Sequence, residues 1–238
     1  MTQLNLHSGG ALVEYDALRG LQTPPRTATH VPLPHSELVS MVKYALGYFG
    51  HEVMEEHHAV TEDHQRYFGL LSLRSEYGDY TDTIGLRNSH DQKFPIGIAF
   101  GSRVFVCSNL AFSGDHVIKR KHTANGRRDL PGLVAEVVEP LKEKRLLQGK
   151  SIERYKSALL TDERADHAVL TMYRKGVINL QRVPNVLNQY ESPAHDWGAK
   201  SAWRLFNAAT YALAGRVAEK PDITKRLHDV IDATCEEY

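Results

Sequence analysis

The sequence predicts an α+β protein, and three observations carry that expectation. A helical stripe fills residues 37–49, short alternating segments broken by turn residues fill about 52–122, and helical periodicity prevails from about 129 onward. Strands in one run and helices in another segregate into an antiparallel sheet with helices beside it, whereas a doubly wound parallel sheet needs the two to alternate. The expected organisation is an N-terminal arm or linker over 1–34 and one α+β domain over 35–238, with its sheet part at 35–128 and its helical part at 129–238.

Taken in order, residues 1–34 hold Gly9-Gly10, Pro24-Pro25, Pro32 and Pro34 with little periodicity, so they read as an arm that docks rather than as core. Ser36 offers an N-cap and Glu37 an acid in the first turn. Leu38, Val42, Ala45 and Phe49 then recur at helical spacing, flanked by Val39 and Leu46, and Gly50 closes the segment. The next region contains R-Y-F-G-L-L-S-L-R, T-I-G-L-R-N-S and the alternating Ile96, Ile98 and Phe100, separated by Gly, Asp and Asn clusters. This is the pattern of an antiparallel meander of four to six strands. Gly97 and Gly101 within it point to a bulge or a close backbone approach.

Beyond it, Asp129 is expected to cap a helix with Leu133, Val137 and Leu141 on one stripe. Ser151 is expected to start a second helix, and Thr161 or Asp162 a third that ends near Gly176. Pro184, Asn185, Asn188, Pro193 and Asp196 make 181–198 read as a long irregular connection. Helices over 199–218 and from Pro221 complete the chain, and Asn207 on the first of these is expected to satisfy backbone groups of that connection.

Composition limits the function classes. Twenty-nine Lys and Arg balance 29 Asp and Glu, so any affinity for a polyanion must come from local clustering. Cys107 and Cys235 have no paired-metal spacing, which suits a reducing, cytoplasmic setting. No apolar run reaches bilayer length and residues 1–30 lack an apolar signal core, so no membrane role is expected. There is no glycine-rich phosphate loop, and nothing in the chain asks for a cofactor.

Local clusters are more informative. H-E-V-M-E-E-H-H at 51–58 lacks the H-E-x-x-H spacing of a zinc helix, and on a strand it makes a poor cage, so no metal site is assigned. His90-Asp91 offers a weak catalytic dyad in which the carboxylate would orient an imidazole base. No nucleophile accompanies it, because Cys107 reads as a small core residue, and Asn88, Ser89 and Asp91 are good turn formers. The strongest signal is H-V-I-K-R-K-H-T-A-N-G-R-R at 116–128. Lys119, Arg120, Lys121, Arg127 and Arg128 fall within ten positions beside an expected helix N-terminus, with Arg103 and Arg87 as outer contacts. Such a set attracts phosphates in a salt-dependent, sequence-independent way, although in a neutral protein a solvated turn has the same composition.

Three elements carry a resemblance to a known family: R-N-S-H-D at 87–91, R-V-F-V-C-S-N-L at 103–110 with the following K-R-K-H-T, and W-R-L-F-N-A-A-T at 203–210. Over about residues 50–215 the chain resembles the phage/plasmid-like proteins grouped as domain of unknown function nine-three-two. That resemblance implies a mobile-element origin, and with it DNA metabolism or evasion of host defence. At the level of element order the chain also resembles the core of ring-forming single-strand annealing proteins, whose sheet and helix form a basic groove. The leading expectation is a nucleic-acid-binding accessory protein that binds or anneals single-stranded DNA through its backbone phosphates as a homo-oligomer, with enzymatic activity left open. Two alternatives remain at this level: a metal-assisted hydrolase or nuclease using acid–His pairs, and a module that engages a host defence protein.

Overall fold

Alternation along residues 53–120 builds a sheet. A computed structural model describes residues 10–74, 80–104, 110–213 and 221–236, except for the side chains of 102–117 and 221–222. Its strands are β1 (Ala11–Val13), β2 (Val53–Val60), β3 (Arg66–Leu73), β4 (Tyr80–Ser89), β5 (Ile96–Val104) and β6 (Leu110–Arg120). They lie in chain order in one six-stranded sheet, which is the expected meander with one strand added from the N-terminal segment. The pairs β1–β2, β2–β3 and β3–β4 are antiparallel, in registers such as Ala11 with Val60, Val60 with Tyr67 and Arg66 with Ser89. An irregularity between Val53 and Glu55 interrupts β2. The architecture is α+β, with a helical C-terminal half.

Two compact units result: Met1–Gly101 with His116–Lys142, and Ser102–Asp115 with Glu143–Tyr238. In the sheet unit, α1 (Tyr15–Gly20), α2 (His35–Tyr48) and α3 (Ala124–Val138) accompany the strands. Leu38, Val39, Val42 and Leu46 of α2 and Leu130, Val134 and Val138 of α3 share a core with Tyr67, Leu71, Ile84, Leu86, Ile96, Ile98 and Phe100 of the sheet. The helical residues recur three or four apart and those within each strand mostly two apart, so each element shows one apolar face to a common centre. Each large side chain buried there contributes about 2 kcal/mol.

Three expectations about this unit change. Residues 10–34 do more than dock, because they supply β1, α1 and the fully buried Leu18 and Leu33. Helix α2 starts at His35 behind Pro34, whose carbonyl accepts from Glu37 N and Leu38 N, so Ser36 lies inside the helix and is not its cap. Gly50 ends that helix as expected, at φ 78°, where a side chain would be strained. Helix α3 starts at Ala124 and not at Asp129, with Thr123 as N-cap accepting from Gly126 N at 3.1 Å. Asp129 is therefore interior, and Pro131 lies inside the helix rather than opening it.

The second unit is helical: α4 (Leu141–Ser157), whose first two residues belong to the sheet unit, α5 (Asp162–Arg174), α6 (Val183–Glu191), α7 (Ala202–Leu213) and α8 (Pro221–Glu236). Ser151, expected to start a helix, is inside α4, whereas Thr161 caps α5 and Gly176 follows it at φ 66°. The connection expected over 181–198 is in part helical. A 3-10 turn at Leu180–Arg182 leads into α6, where Pro184 sits among the first positions and its missing N–H removes no helical bond. Val169, Met172, Val186, Tyr190, Trp203, Phe206, Leu227 and Ile231 are buried in this unit. Asn207 donates to Trp203 O at 2.9 Å, one turn back on its own helix. Among the described residues, no helix is long and apolar enough to cross a membrane.

Candidate anion-binding cleft

The proline-rich segment before α2 is short of backbone N–H groups, so its polar groups are met in part from outside, by two side chains at the end of β4 and by one carbonyl beyond β6. Leu33 O accepts from Asn88 Nδ2 at 2.7 Å and from His90 Nε2 at 2.8 Å. Val31 N donates to His122 O at 2.8 Å, while Thr27 and His30 close a local turn through Thr27 N to His30 O and His30 N to Thr27 Oγ1. Asn88 is the hub of this arrangement. It is fully buried at the end of β4, its amide also donates to His35 Nδ1 at 2.9 Å, and its oxygen accepts from His122 Nε2 at 2.7 Å. His35 Nε2 donates to His64 O at 3.1 Å, which leaves Nδ1 as the acceptor Asn88 requires. The rings of His35 and His90 stack with centroids 4.0 Å apart, and those of His30 and His122 lie 5.2 Å apart.

The imidazoles of His35, His90 and His122 are neutral near pH 7. Burial, then His90 beside it, pushes His35 down to about 4. Burial, with His30 and His90 adding to it, brings His122 to about 4 as well, and burial also lowers His90. The network is thus a hydrogen-bonded clamp of neutral rings.

What the clamp positions is a cleft of about 630 Å³ between the segment 23–34 and the start of α3. Pro24, Pro32 and Pro34 form its stiff side, and Arg26, Arg127 and Arg128 bring three guanidinium groups to its lining. Gly126 lets the helix start so close to the strand end. A β-carbon there would stand 2.3 Å from Lys121 O, too near for any side chain. The first turn of α3 contains no acid, so its free N–H groups add to the positive potential. Arg127 NH2 donates to both carboxylate oxygens of Glu37, at 2.8 and 3.0 Å, and Arg128 Nε to Asp129 at 3.0 Å. Both pairs are solvent-exposed, hence weak, and open to exchange for a phosphate. Arg26 is exposed and has no ion-pair partner among the described residues.

Of the residues singled out in the sequence, Arg127 and Arg128 therefore meet in one cleft. Lys119, Arg120 and Lys121 are all exposed at the end of β6, in the segment leading into it. Arg87 does not join them. Strand alternation turns it to the sheet face opposite Leu86 and Asn88, where it lies over Gly97 with its guanidinium 5.3 Å from the Phe94 ring. The side chain of Arg103, and Cys107 altogether, lie outside the described residues. Arg26 escaped notice because the T-P-P-R stretch carries no periodicity; only its meeting with 127–128 in space gives it meaning.

His90 and Asp91 do not form a dyad. Asp91 turns to Arg66 Nε at 2.7 Å, to Ser89 Oγ and to Lys93 N, while the His90 ring faces Leu33 and His35. Burial raises the Asp91 carboxyl, but the bonds from Ser89, Arg66 and Lys93 outweigh it and hold it below the usual range. The turn that follows places Gln92 at φ 61°. In the 51–58 run, Glu55 pairs with His57 at 2.9 Å and His58 Nδ1 meets Tyr67 OH at 2.9 Å. Among the described residues, no group of three His, Cys, Asp or Glu is placed to hold a metal ion.

The chain matches no family model, no curated protein and no solved structure with which it was compared. Fold and site define it as an α+β protein whose sheet unit carries an arginine-lined cleft at a helix N-terminus.

Proposed function

We propose that this is a cytoplasmic nucleic-acid-binding accessory protein of a phage or plasmid, holding single-stranded DNA through its phosphates and acting as a homo-oligomer. The observation that carries this reading is the convergence of Arg26, Arg127 and Arg128 on one cleft at the start of α3. The exposed Lys119, Arg120 and Lys121 extend the same charge along the chain that enters it. Guanidinium groups grip phosphate bidentately, the helix N-terminus favours an anion, and neither distinguishes one base from another. Binding is therefore expected to be weakly sequence-dependent and steeply salt-dependent.

Fluorescence anisotropy with a labelled oligonucleotide tests it. The wild-type chain should bind single strands at low salt, with log K falling by about 0.7 per phosphate contact for each unit of log salt. Replacing Lys119, Arg120 and Lys121 by Glu should abolish binding while the circular dichroism spectrum stays unchanged. Wild-type protein that ignores single-stranded DNA at low salt would refute the proposal.

A further inference from the structure

Helix α2 buries Leu38, Val39, Val42 and Leu46 and turns two large rings to solvent. Tyr44 is 77% and Tyr48 75% exposed, more than any other large hydrophobic side chain among the described residues. They stand one turn apart on one stripe with Glu37 and Met41, since positions 37, 41, 44 and 48 repeat at helical spacing. Glu37 is the acid that Arg127 grips at the cleft. The stripe therefore starts at the arginine cleft and runs away from it along α2, with Tyr44 about 10 Å and Tyr48 about 16 Å of helical rise further on. Tyr48 does not dangle, because its ring meets Phe49 edge-on at 5.1 Å and Phe49 packs on the core.

An exposed aromatic pair on a rigid helix gains little from water and much from a flat apolar partner. Glu37 is the sole acid on this stripe, and three guanidinium groups line the cleft at its start. A polyanion that also carries flat rings fits both features at once. The two tyrosines rise about 6 Å relative to each other, more than the 3.4 Å between stacked bases of a duplex strand. They suit bases splayed from an extended single strand and not those inside a helix.

We infer that Tyr44 and Tyr48 are a base-stacking platform, on which two neighbouring bases of a single strand lie while its backbone phosphates occupy the Arg26–Arg127–Arg128 cleft. This rests on the nucleic-acid reading above and adds to it the residues that select single strands over duplex.

The test is anisotropy at fixed salt with a labelled single-stranded oligothymidylate, a duplex of equal length and an abasic strand of equal length. It uses wild-type protein, Tyr44→Leu, Tyr48→Leu and the double Tyr→Phe variant. Each Leu variant should bind the single strand roughly tenfold more weakly, with its salt slope unchanged, while the Phe double variant keeps wild-type affinity. The abasic strand should bind all four proteins equally and weakly. Leu variants that bind oligothymidylate as tightly as wild type would overturn the platform and leave the phosphate cleft standing. So would Leu variants whose sedimentation shifts to a smaller species with affinity retained, because the pair would then be a contact between copies of the chain. A wild-type chain that binds none of the three probes would overturn both readings.

Discussion

In the sheet unit the polar network is built from neutral rings. His35, His90 and His122 surround Asn88, every one of them under a tenth exposed, and each bond runs to a carbonyl, an amide or another imidazole. In the helical unit the polar network is built from charge and lies nearer to water. Tyr155 OH donates to Asp232 at 2.7 Å and meets His228 Nδ1 at 3.1 Å, and Arg154 closes on the same carboxylate with its side chain about half exposed. Only the Tyr155 ring is fully enclosed there, and burial, then Asp232, raises its phenol so that it stays a donor throughout the physiological range. The first network tolerates no charge, while the second tolerates water and salt. Their difference reflects what each holds. Neutral histidines and Asn88 fasten an irregular proline-rich segment that belongs to no helix or strand, whereas the tyrosine–aspartate pair ties together two helices that already satisfy themselves.

The largest way to separate the two is acid. An imidazole with a folded value of about 4 against 6.5 unfolded takes up its proton more readily in the unfolded chain. Stability from His35 and His122 is therefore complete above about pH 6.5, drains as pH falls through that window, and is gone once pH passes below about 4. Each ring carries on the order of 3 kcal/mol of this. Hydrogen exchange followed from pH 7 to pH 4 should show amides of the sheet unit, those of α2 and α3 included, losing protection while α5 to α7 keep theirs. Equal loss in both units would erase the contrast drawn here. Because the same clamp positions Arg26 against α3, affinity for an anion should fall over the same pH range.

A smaller effect comes from the hub itself. Asn88→Ala removes three hydrogen bonds at a position with no access to water and leaves His35 Nδ1 and His122 Nε2 without partners. The expected destabilisation is about 3 kcal/mol, read as a lower denaturation midpoint with unchanged slope. An Asn88→Ala variant as stable as wild type would mean that the clamp carries none of the load assigned to it.

The comparison also marks what sequence can carry. Periodicity announced the meander, α2 and the cap of α5, because those signals are local: alternating Ile96, Ile98 and Phe100, the stripe 38–46, Thr161 before Asp162. It failed where the cause is distant. Leu33 is a single apolar residue between two prolines, and its carbonyl is held by Asn88 and His90 from more than fifty residues away. Asp129, of a residue type that caps helices, stood as the expected start of α3; Thr123 bonding Gly126 fixes the true start. Of the cleft, Arg127 and Arg128 were legible as a charge run, whereas Arg26 and the tyrosine stripe needed the packing of α2 against α3.

The smallest effect belongs to the helical unit and sharpens the contrast from its other side. Tyr155→Phe keeps the buried ring and deletes only the hydroxyl, so Asp232 loses one donor but retains Arg154 and access to water. A partly hydrated carboxylate replaces a lost donor with solvent, and the expected cost is about 1 kcal/mol, against about 3 for the enclosed Asn88. The ratio between the two variants, measured in the same denaturant titration, is the informative quantity. If Tyr155→Phe proved as damaging as Asn88→Ala, enclosure would not be what separates the networks. The weight would then fall on charge, and raising the salt concentration should weaken the helical unit alone.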